Sequence, residues 1–493
     1  KAPDNLEALR RLVEVYEQLG DLAEREADPF KFNDEDDEEY DEDDEEEGEK
    51  PDFTQAREYF AKALKIRKKI VELSPNDLEP LRDLSNACER LGDLAKKEGD
   101  FAEAREYFTK GLKAFERVLE QTPNNFEALS CLYHAQGCLG ELSKLTEDYE
   151  QEKLDHEKAL EIALKTLKRA RNDRQALSDA SRYCEELGRI ARKEDDDKRA
   201  IKHFKKALEM RKKIIKRTPD DVETLSAMGD VYFILDDMLQ WGDEDRGREC
   251  AEKGFEIRKK VVDLAPNDVG ALRALSLAYR RIGVFLQDDA WEENEEEPDF
   301  TQTQEYYAKA VETANKAVDC APDDLEALKA LSDAYCSLGE FLARQISTEQ
   351  ASEYYQQGLE KFKKIVEQAP DSLQALHGLS DLYRKLGELS DGGQARERYE
   401  KALEANAQII AHKPNDYKAL YDMGWIYVNE LGALSEKEGD LVQTKEYYEK
   451  GIEAYKKNLE FEPYAYATSR ALGYAYRFLA DLLKEEEEEE DQE

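Results

Sequence analysis

The 493-residue sequence predicts an all-α fold, a solenoid of about ten stacked helix hairpins. Three observations carry that expectation. A Pro followed by Asn or Asp recurs along the chain, with repeat copies starting at Pro3, Pro75, Pro123, Arg171, Pro219, Pro266, Pro322, Pro370, Pro414 and Pro463. From Pro75 onward the spacing stays near 48 residues, and the tenth copy is a half. Behind each start, apolar residues return three and four positions apart, the period of a helix with one buried face. Charged residues make up 38% of the chain and hydrophobic ones 40%, a mixture suited to exposed amphipathic helices.

Each copy reads as two helices. The first opens at the Pro–Asn/Asp pair, where a short polar side chain can cap free backbone N–H groups. In the seventh copy its apolar stripe is Leu325, Leu328, Leu331, Ala334, Tyr335 and Leu338. The second helix of that copy is "EQASEYYQQGLEKFKKIVEQA", Glu349–Ala369, and it ends at the next Pro. Copies one and six share a further phrase: "PDFTQ" stands at Pro51–Gln55 and again at Pro298–Gln302. Each lies just behind an acidic run, "DEDDEEYDEDDEEE" at 34–47 and "EENEEE" at 292–297. Both phrases introduce a second helix, "AREYFAKAL" or "TQEYYAKAV", which Asp52 and Asp299, or Thr54 and Thr301, can cap. The acidic runs are therefore expected to be insertions into equivalent turns. Copies two and seven, and three and eight, also agree, which suggests tandem duplication of a five-repeat block. The expected division is 1–265 for repeats one to five, with an insertion at 33–50. Residues 266–493 form repeats six to ten, with an insertion at 288–299 and a capping helix with acidic tail at 484–493.

"EALKALSDAYCSLGE" (Glu326–Glu340), "QASEYYQQGL" (Gln350–Leu359) and the closing Pro370 resemble the tetratricopeptide repeat pattern, with Leu328 in place of its Trp and Ser332 in place of its Gly. The Gly near the end of the first helix recurs at Gly20, Gly92, Gly140, Gly188, Gly283, Gly339, Gly387 and Gly432, so the resemblance covers essentially the whole chain. It implies one right-handed superhelix of about nineteen helices and a non-enzymatic role in protein binding. The family period is 34 residues, and the excess of about 14 equals roughly two turns on each helix. Two turns are close to seven residues and return the stripe to the same face. Long repeats of this kind resemble segments of large bacterial proteins. The family's carboxylate clamp needs Asn at a position held here by Arg11, Asp83, Cys131, Ala227, Ala274, Ala330, Gly378 and Asp422, so that role is not expected.

The formal net charge of −42 includes 25 acids in the runs 34–47, 292–297 and 485–491. Such a surface repels phosphate backbones and excludes nucleic acid as a partner. No apolar stretch approaches the roughly 20 residues of a membrane span. Basic proteins, divalent cations or a second copy of the chain remain as partners. No nucleotide-binding, nucleophile-elbow or EF-hand motif is present, and neither a catalytic site nor a cofactor is expected. Asp34, Asp36, Asp37, Asp41, Asp43 and Asp44 are candidates for loose divalent-cation binding. Seven Cys and five His show no metal-ligand spacing, so no firm metal site is expected and the thiols read as unpaired in a reducing, cytoplasmic compartment. Because the chain starts at Lys1, it is read as a processed or excised piece. Trp241 and Trp291, placed in inter-helix turns, are candidate partner anchors, and Trp425 is expected in the core. The leading function is a protein-interaction scaffold. The alternatives are a self-stacking filament subunit and an acidic chaperone for a basic client.

Overall fold

A helix hairpin needs two amphipathic rods joined by a turn, and the described residues supply nine such helix pairs. The structure, a computed structural model, describes residues 6–27, 52–74, 77–123, 125–240, 242–293 and 296–490. The first hairpin is α1 (Leu6–Ala27) with α2 (Thr54–Leu73), followed by α3 (Leu78–Lys97) with α4 (Phe101–Gln121). Then come α5 (Phe126–Leu145) with α6 (Tyr149–Leu167), and α7 (Arg174–Lys193) with α8 (Asp197–Ile215). Next are α9 (Val222–Leu239) with α10 (Glu244–Leu264), and α11 (Val269–Glu293) with α12 (Thr301–Cys320). They are followed by α13 (Leu325–Gln345) with α14 (Thr348–Gln368), and α15 (Leu373–Glu388) with α16 (Gly392–His412). The ninth pairs α17 (Tyr417–Trp425), continued by a π-helical segment (Ile426–Gly432) and α18 (Ala433–Glu438), with α19 (Leu441–Phe461). A last helix, α20 (Tyr466–Glu490), packs on α19 through Ala475 and Leu482. Among the described residues the fold is entirely helical.

Caps set the repeat boundaries. Two residues behind the start of a copy, Asn125 accepts from the Ala128 N–H at 2.9 Å, Asp173 from Ala176 at 2.8 Å and Asp416 from Ala419 at 2.9 Å. The second helices are capped in the same way by Asp100, Asp148, Asp196 and Asp440. Each such cap satisfies a donor that the helix itself cannot, worth about 1 kcal/mol. At both PDFTQ turns the acceptor is the Asp: Asp52 and Asp299 each take the N–H of the Thr two residues on at 3.0 Å.

The hairpins close by one repeated contact. The Gly near the end of the first helix faces a ring from the second, so the two backbones approach closely. A Cβ on Gly20 would stand 2.5 Å from Phe60, one on Gly92 2.6 Å from Phe108, and one on Gly188 2.9 Å from Phe204. Leu328, Leu331, Ala334, Tyr335 and Leu338 are buried as their spacing predicts. Full burial stabilises a Leu side chain by roughly 1.5–3 kcal/mol. Leu325, in the first turn of α13, is instead 45% exposed.

The chain forms two compact units, Lys1–Thr224 and Leu225–Glu493. The first contains α1 to α8 and the second nearly all of α9 through α20. In the first unit Arg67, on α2, is held by Glu17 at 2.6 Å and Asp83 at 2.8 Å, tying consecutive hairpins together. In the second, Arg281 on α11 grips the buried Asp236 of α9 through two bonds of 2.7 and 2.8 Å. None of the seven cysteines forms a disulfide; Cys88 and Cys184 are buried and Cys336 partly so. Trp425 departs from expectation. It is 37% exposed, lies against Tyr421 and donates from its ring N–H to Glu430 at 3.2 Å. The reason is its register: eleven residues behind the copy start, other copies place the polar Asn86, His134, Arg182, Asp333 and Asp381, and Leu277, which is 50% exposed.

Candidate partner-binding groove

The second acidic run and the second PDFTQ turn meet at the end of α11, within the second unit. There α11 continues through Glu293, so Trp291 sits in its last turn and not in the connecting turn. Behind the turn, Phe300 leads into α12 and is buried. Its ring meets Trp291 edge-on at 5.7 Å and Phe341 edge-on at 5.6 Å, and Phe341 stacks on Tyr307 at 5.2 Å. Trp291 is therefore the outer end of a four-ring chain rooted in the core. Its ring is braced from behind while 40% of the residue stays exposed.

Facing it, the end of α13 contributes Arg344 and Ile346, the latter 43% exposed. Trp291, Pro298, Phe300, Gln304, Arg344 and Ile346 line an open groove of about 500 Å³. A preformed aromatic wall opposite an aliphatic one, with polar groups at the rim, is the arrangement that anchors a partner's apolar side chain. A larger groove of about 870 Å³ lies one repeat on, between Glu349 and Ser390. Its Arg398 is committed to the Leu386 carbonyl at 2.7 Å and to the Ser390 hydroxyl, and no ring lines it. The Trp291 groove is the better candidate.

The groove is itself lined by one acid, Asp299, and one base, Arg344, and further carboxylates precede Trp291 on α11. Burial, together with Glu244, Asp289 and Glu292, holds the Asp288 carboxyl above its ordinary value. Asp289 is held below its own by Arg248, which reaches it at 2.6 Å from α10. The Thr301 hydroxyl and N–H lower Asp299 in the same manner. The end of α11 thus gathers carboxylates that a cationic segment would neutralise.

The tetratricopeptide repeat family model matches residues 85–117 and 181–214. The match supports a tetratricopeptide-repeat reading of the chain. In both matched copies the window runs from the middle of the first helix to near the end of the second, with the Gly–Phe contact inside it. Ten residues of each copy precede the window and four or five follow it, so the extra length lies mainly at the start of the first helix. Among solved structures, the chain is similar to the C-terminal part of a tetratricopeptide repeat-containing protein of Cytophaga hutchinsonii. That match has 16% identity over 68% of this chain and 98% of the other, with a TM-score of 0.35. It is also similar to a Parabacteroides merdae tetratricopeptide repeat protein, at 13% identity over 69% and 98%, TM-score 0.35. A thermophilic repeat protein of Thermus thermophilus matches at 17% identity over 48% and 96%, TM-score 0.29. No curated protein sequence matches.

Of the sequence-predicted site residues, Trp291 is placed in this groove. Trp241 and the carboxylates Asp34, Asp36, Asp37, Asp41, Asp43 and Asp44 lie outside the described residues. Sequence reasoning did not single out Ile346 and Arg344. Ile346 ends α13 where the copy-seven pattern passes from stripe to turn, and an apolar residue in a turn was the available signal.

Proposed function

We propose that this protein is a non-enzymatic scaffold that holds a protein partner at the turn edge of its second unit. The supporting observation is the exposed Trp291, braced by Phe300 and facing Ile346 beside a cluster of carboxylates. An apolar side chain of the partner fills the groove, and flanking Lys or Arg residues meet the acids around Asp288 and the run 292–297. Acid-rich surfaces steer such partners at a rate that falls with salt. The partner is a basic protein, and the setting a reducing, cytoplasmic one. No described helix is long and apolar enough to cross a membrane.

A pull-down with immobilised full-length protein and a panel of purified basic proteins tests this reading. Trp291→Ala is expected to weaken capture at least tenfold, as loss of an aromatic anchor costs about 2 kcal/mol. Its melting temperature should stay within a few degrees, because the ring is half-exposed. Unchanged capture by the variant would reject the groove as the binding site.

Self-association is a second reading with its own support. Leu12, Val15, Leu19 and Leu22 are exposed on α1, and Tyr466, Tyr474 and Phe478 on α20. Apolar faces of this kind let one copy stack on the next. Light scattering across salt and calcium concentrations separates the readings, since only stacking raises the mass of the isolated protein.

A further inference from the structure

Copy three departs from the other hairpins at two core positions of α6. Fifteen residues before the next copy starts, seven of the eight other hairpins carry Phe or Tyr, and the eighth has Ala251. Copy three has His156 there, its ring lying over Gly140 in the place of the usual aromatic. One turn earlier the other hairpins have only Ala, Gly or Thr, whereas copy three has Glu152. Both substitutions are buried, Glu152 at 2% and His156 at 1% exposure. Neither ring nitrogen of His156 has a hydrogen-bond partner, and neither has Oε2 of Glu152.

A buried polar atom without a partner costs stability, and three of them together at one contact of a repeated core call for a ligand. Glu186, on α7, points at the same spot. One ligand atom from each of Glu152, His156 and Glu186 lies within 4.8 Å of the other two. Glu186, 15% exposed, is also paired with Lys144 through Oε2 at 3.7 Å and with Arg189 through Oε1, so an ion would share its carboxylate with them. Asp155 next to it is already saturated by Gln136 and Gln151, both at 2.8 Å, and braces the helix rather than the cluster.

We propose that Glu152, His156 and Glu186 form a binding site for one divalent transition-metal ion of the zinc class, clipping α6 to α7. An imidazole with two carboxylates suits zinc and its first-row neighbours over magnesium or calcium, which take oxygen donors. Bonds of roughly 2.1 Å in a tetrahedron require ligand atoms about 3.4 Å apart, closer than the 4.8 Å within which they now lie. The fourth position is left to water. The ion's positive charge offsets that of the buried Glu152 carboxylate. A second group, Glu89, His134 and Cys138, shows the same grouping. Its members already bond one another, His134 to Glu89 at 3.2 Å and to Cys138 at 3.7 Å, and His134 is half-exposed. It is therefore a control and not the site.

The test uses the full chain, stripped with EDTA and titrated with Co²⁺ and then Zn²⁺, read by Co²⁺ visible absorption, metal content after dialysis and melting temperature. Wild type should retain one ion that the Glu152→Ala/His156→Phe variant lacks, and zinc should raise the melting temperature of wild type only. That variant returns copy three to the pattern of its neighbours and is expected to fold. Should it not, Glu152→Gln must still lose the bound ion. His134→Ala/Cys138→Ser should keep it. If the Glu152/His156 variant binds as many ions as wild type, or wild type retains none, the proposal is overturned.

Discussion

At the scale of single residues, the repeat rewards uniformity, and its departures mark strain or use. The Gly–aromatic contact is reproduced from hairpin to hairpin because only Gly lets the ring reach the helix backbone. In the fifth copy both partners change together: Asp236 stands in the Gly register and Ala251 in the aromatic one. The space goes to a buried ion pair with Arg281 instead. Asp422, in a register that also holds Asp83 and Asp179, is a buried acid without such compensation. Its Oδ2 is buried and unpartnered. Burial, and then Asp381, push its carboxyl up to about 6, against the pull of Lys418, Arg384 and His377. In the folded protein this group keeps its proton until about pH 6, whereas the unfolded chain releases it near 4. Unfolding therefore releases a proton between those values, and the folded state loses stability as pH rises through that window. Asp422→Asn is expected to leave stability at pH 4 unchanged. At pH 7.5 it should gain on the order of 2 kcal/mol, measured by denaturant titration at both values. A variant no more stable at pH 7.5 would mean that Lys418 already compensates the charge.

At the scale of the element, spacing was the most legible property, and its one lapse explains the π-helical segment. In the copies that carry both, the start and the hairpin Gly are seventeen residues apart, as in Pro75 to Gly92 and Pro322 to Gly339. In copy nine, Pro414 to Gly432 is eighteen. A single inserted residue would turn everything beyond it by about 100° and carry Gly432 away from its ring. Widening one turn to π geometry absorbs the extra residue instead. Gly424 then still faces Tyr455, and Gly432 still faces Tyr448. Deleting Asn429, a half-buried residue within the segment, is expected to restore a continuous α-helix with both contacts kept. The melting temperature should be equal or higher. Deleting one residue at the corresponding place in α13 has no slack to remove and should unfold that hairpin. Thermal unfolding followed by circular dichroism compares the two, and equal losses would refute this account of the segment. The groove was less legible. Trp291 could be picked out by its neighbours in sequence, but the opposing wall comes from the next hairpin, and no local pattern announces a neighbour across a turn. The Glu152–His156 pair was visible in principle: aligning copies from their closing Pro shows both substitutions. Motif searching, which looks for ligand spacing and not for broken repeat rules, passes over them.

At the scale of the molecule, repeat architecture makes each hairpin depend on its neighbours and little else, which gives the first acidic run a definite expectation. The two helices it separates are held by contacts that lie wholly on the helices. Gly20 of α1 receives Phe60 of α2, Glu17 of α1 pairs with Arg67 of α2, and Phe53 is buried at the head of α2. Asp52 starts α2 from within its own turn. Removing 34–47 takes thirteen acids and no residue of either helix. Ten residues, 28–33 and 48–51, still join Ala27 to Asp52, whereas three suffice between α3 and α4. Loop-closure entropy changes only slowly with length, so shortening the connection alters stability by about 1 kcal/mol or less. Loss of self-repulsion in a chain of net charge −42 acts in the stabilising direction. The deletion is therefore expected to keep the melting temperature within a few degrees at low salt. If the run serves recognition, capture of basic proteins should fall and its salt dependence flatten, because the steering charge is gone. A deletion that unfolds the first hairpin would make the run structural. A deletion that changes neither binding nor its response to salt and calcium would leave the run as a solubility device, and recognition would rest on the second unit alone.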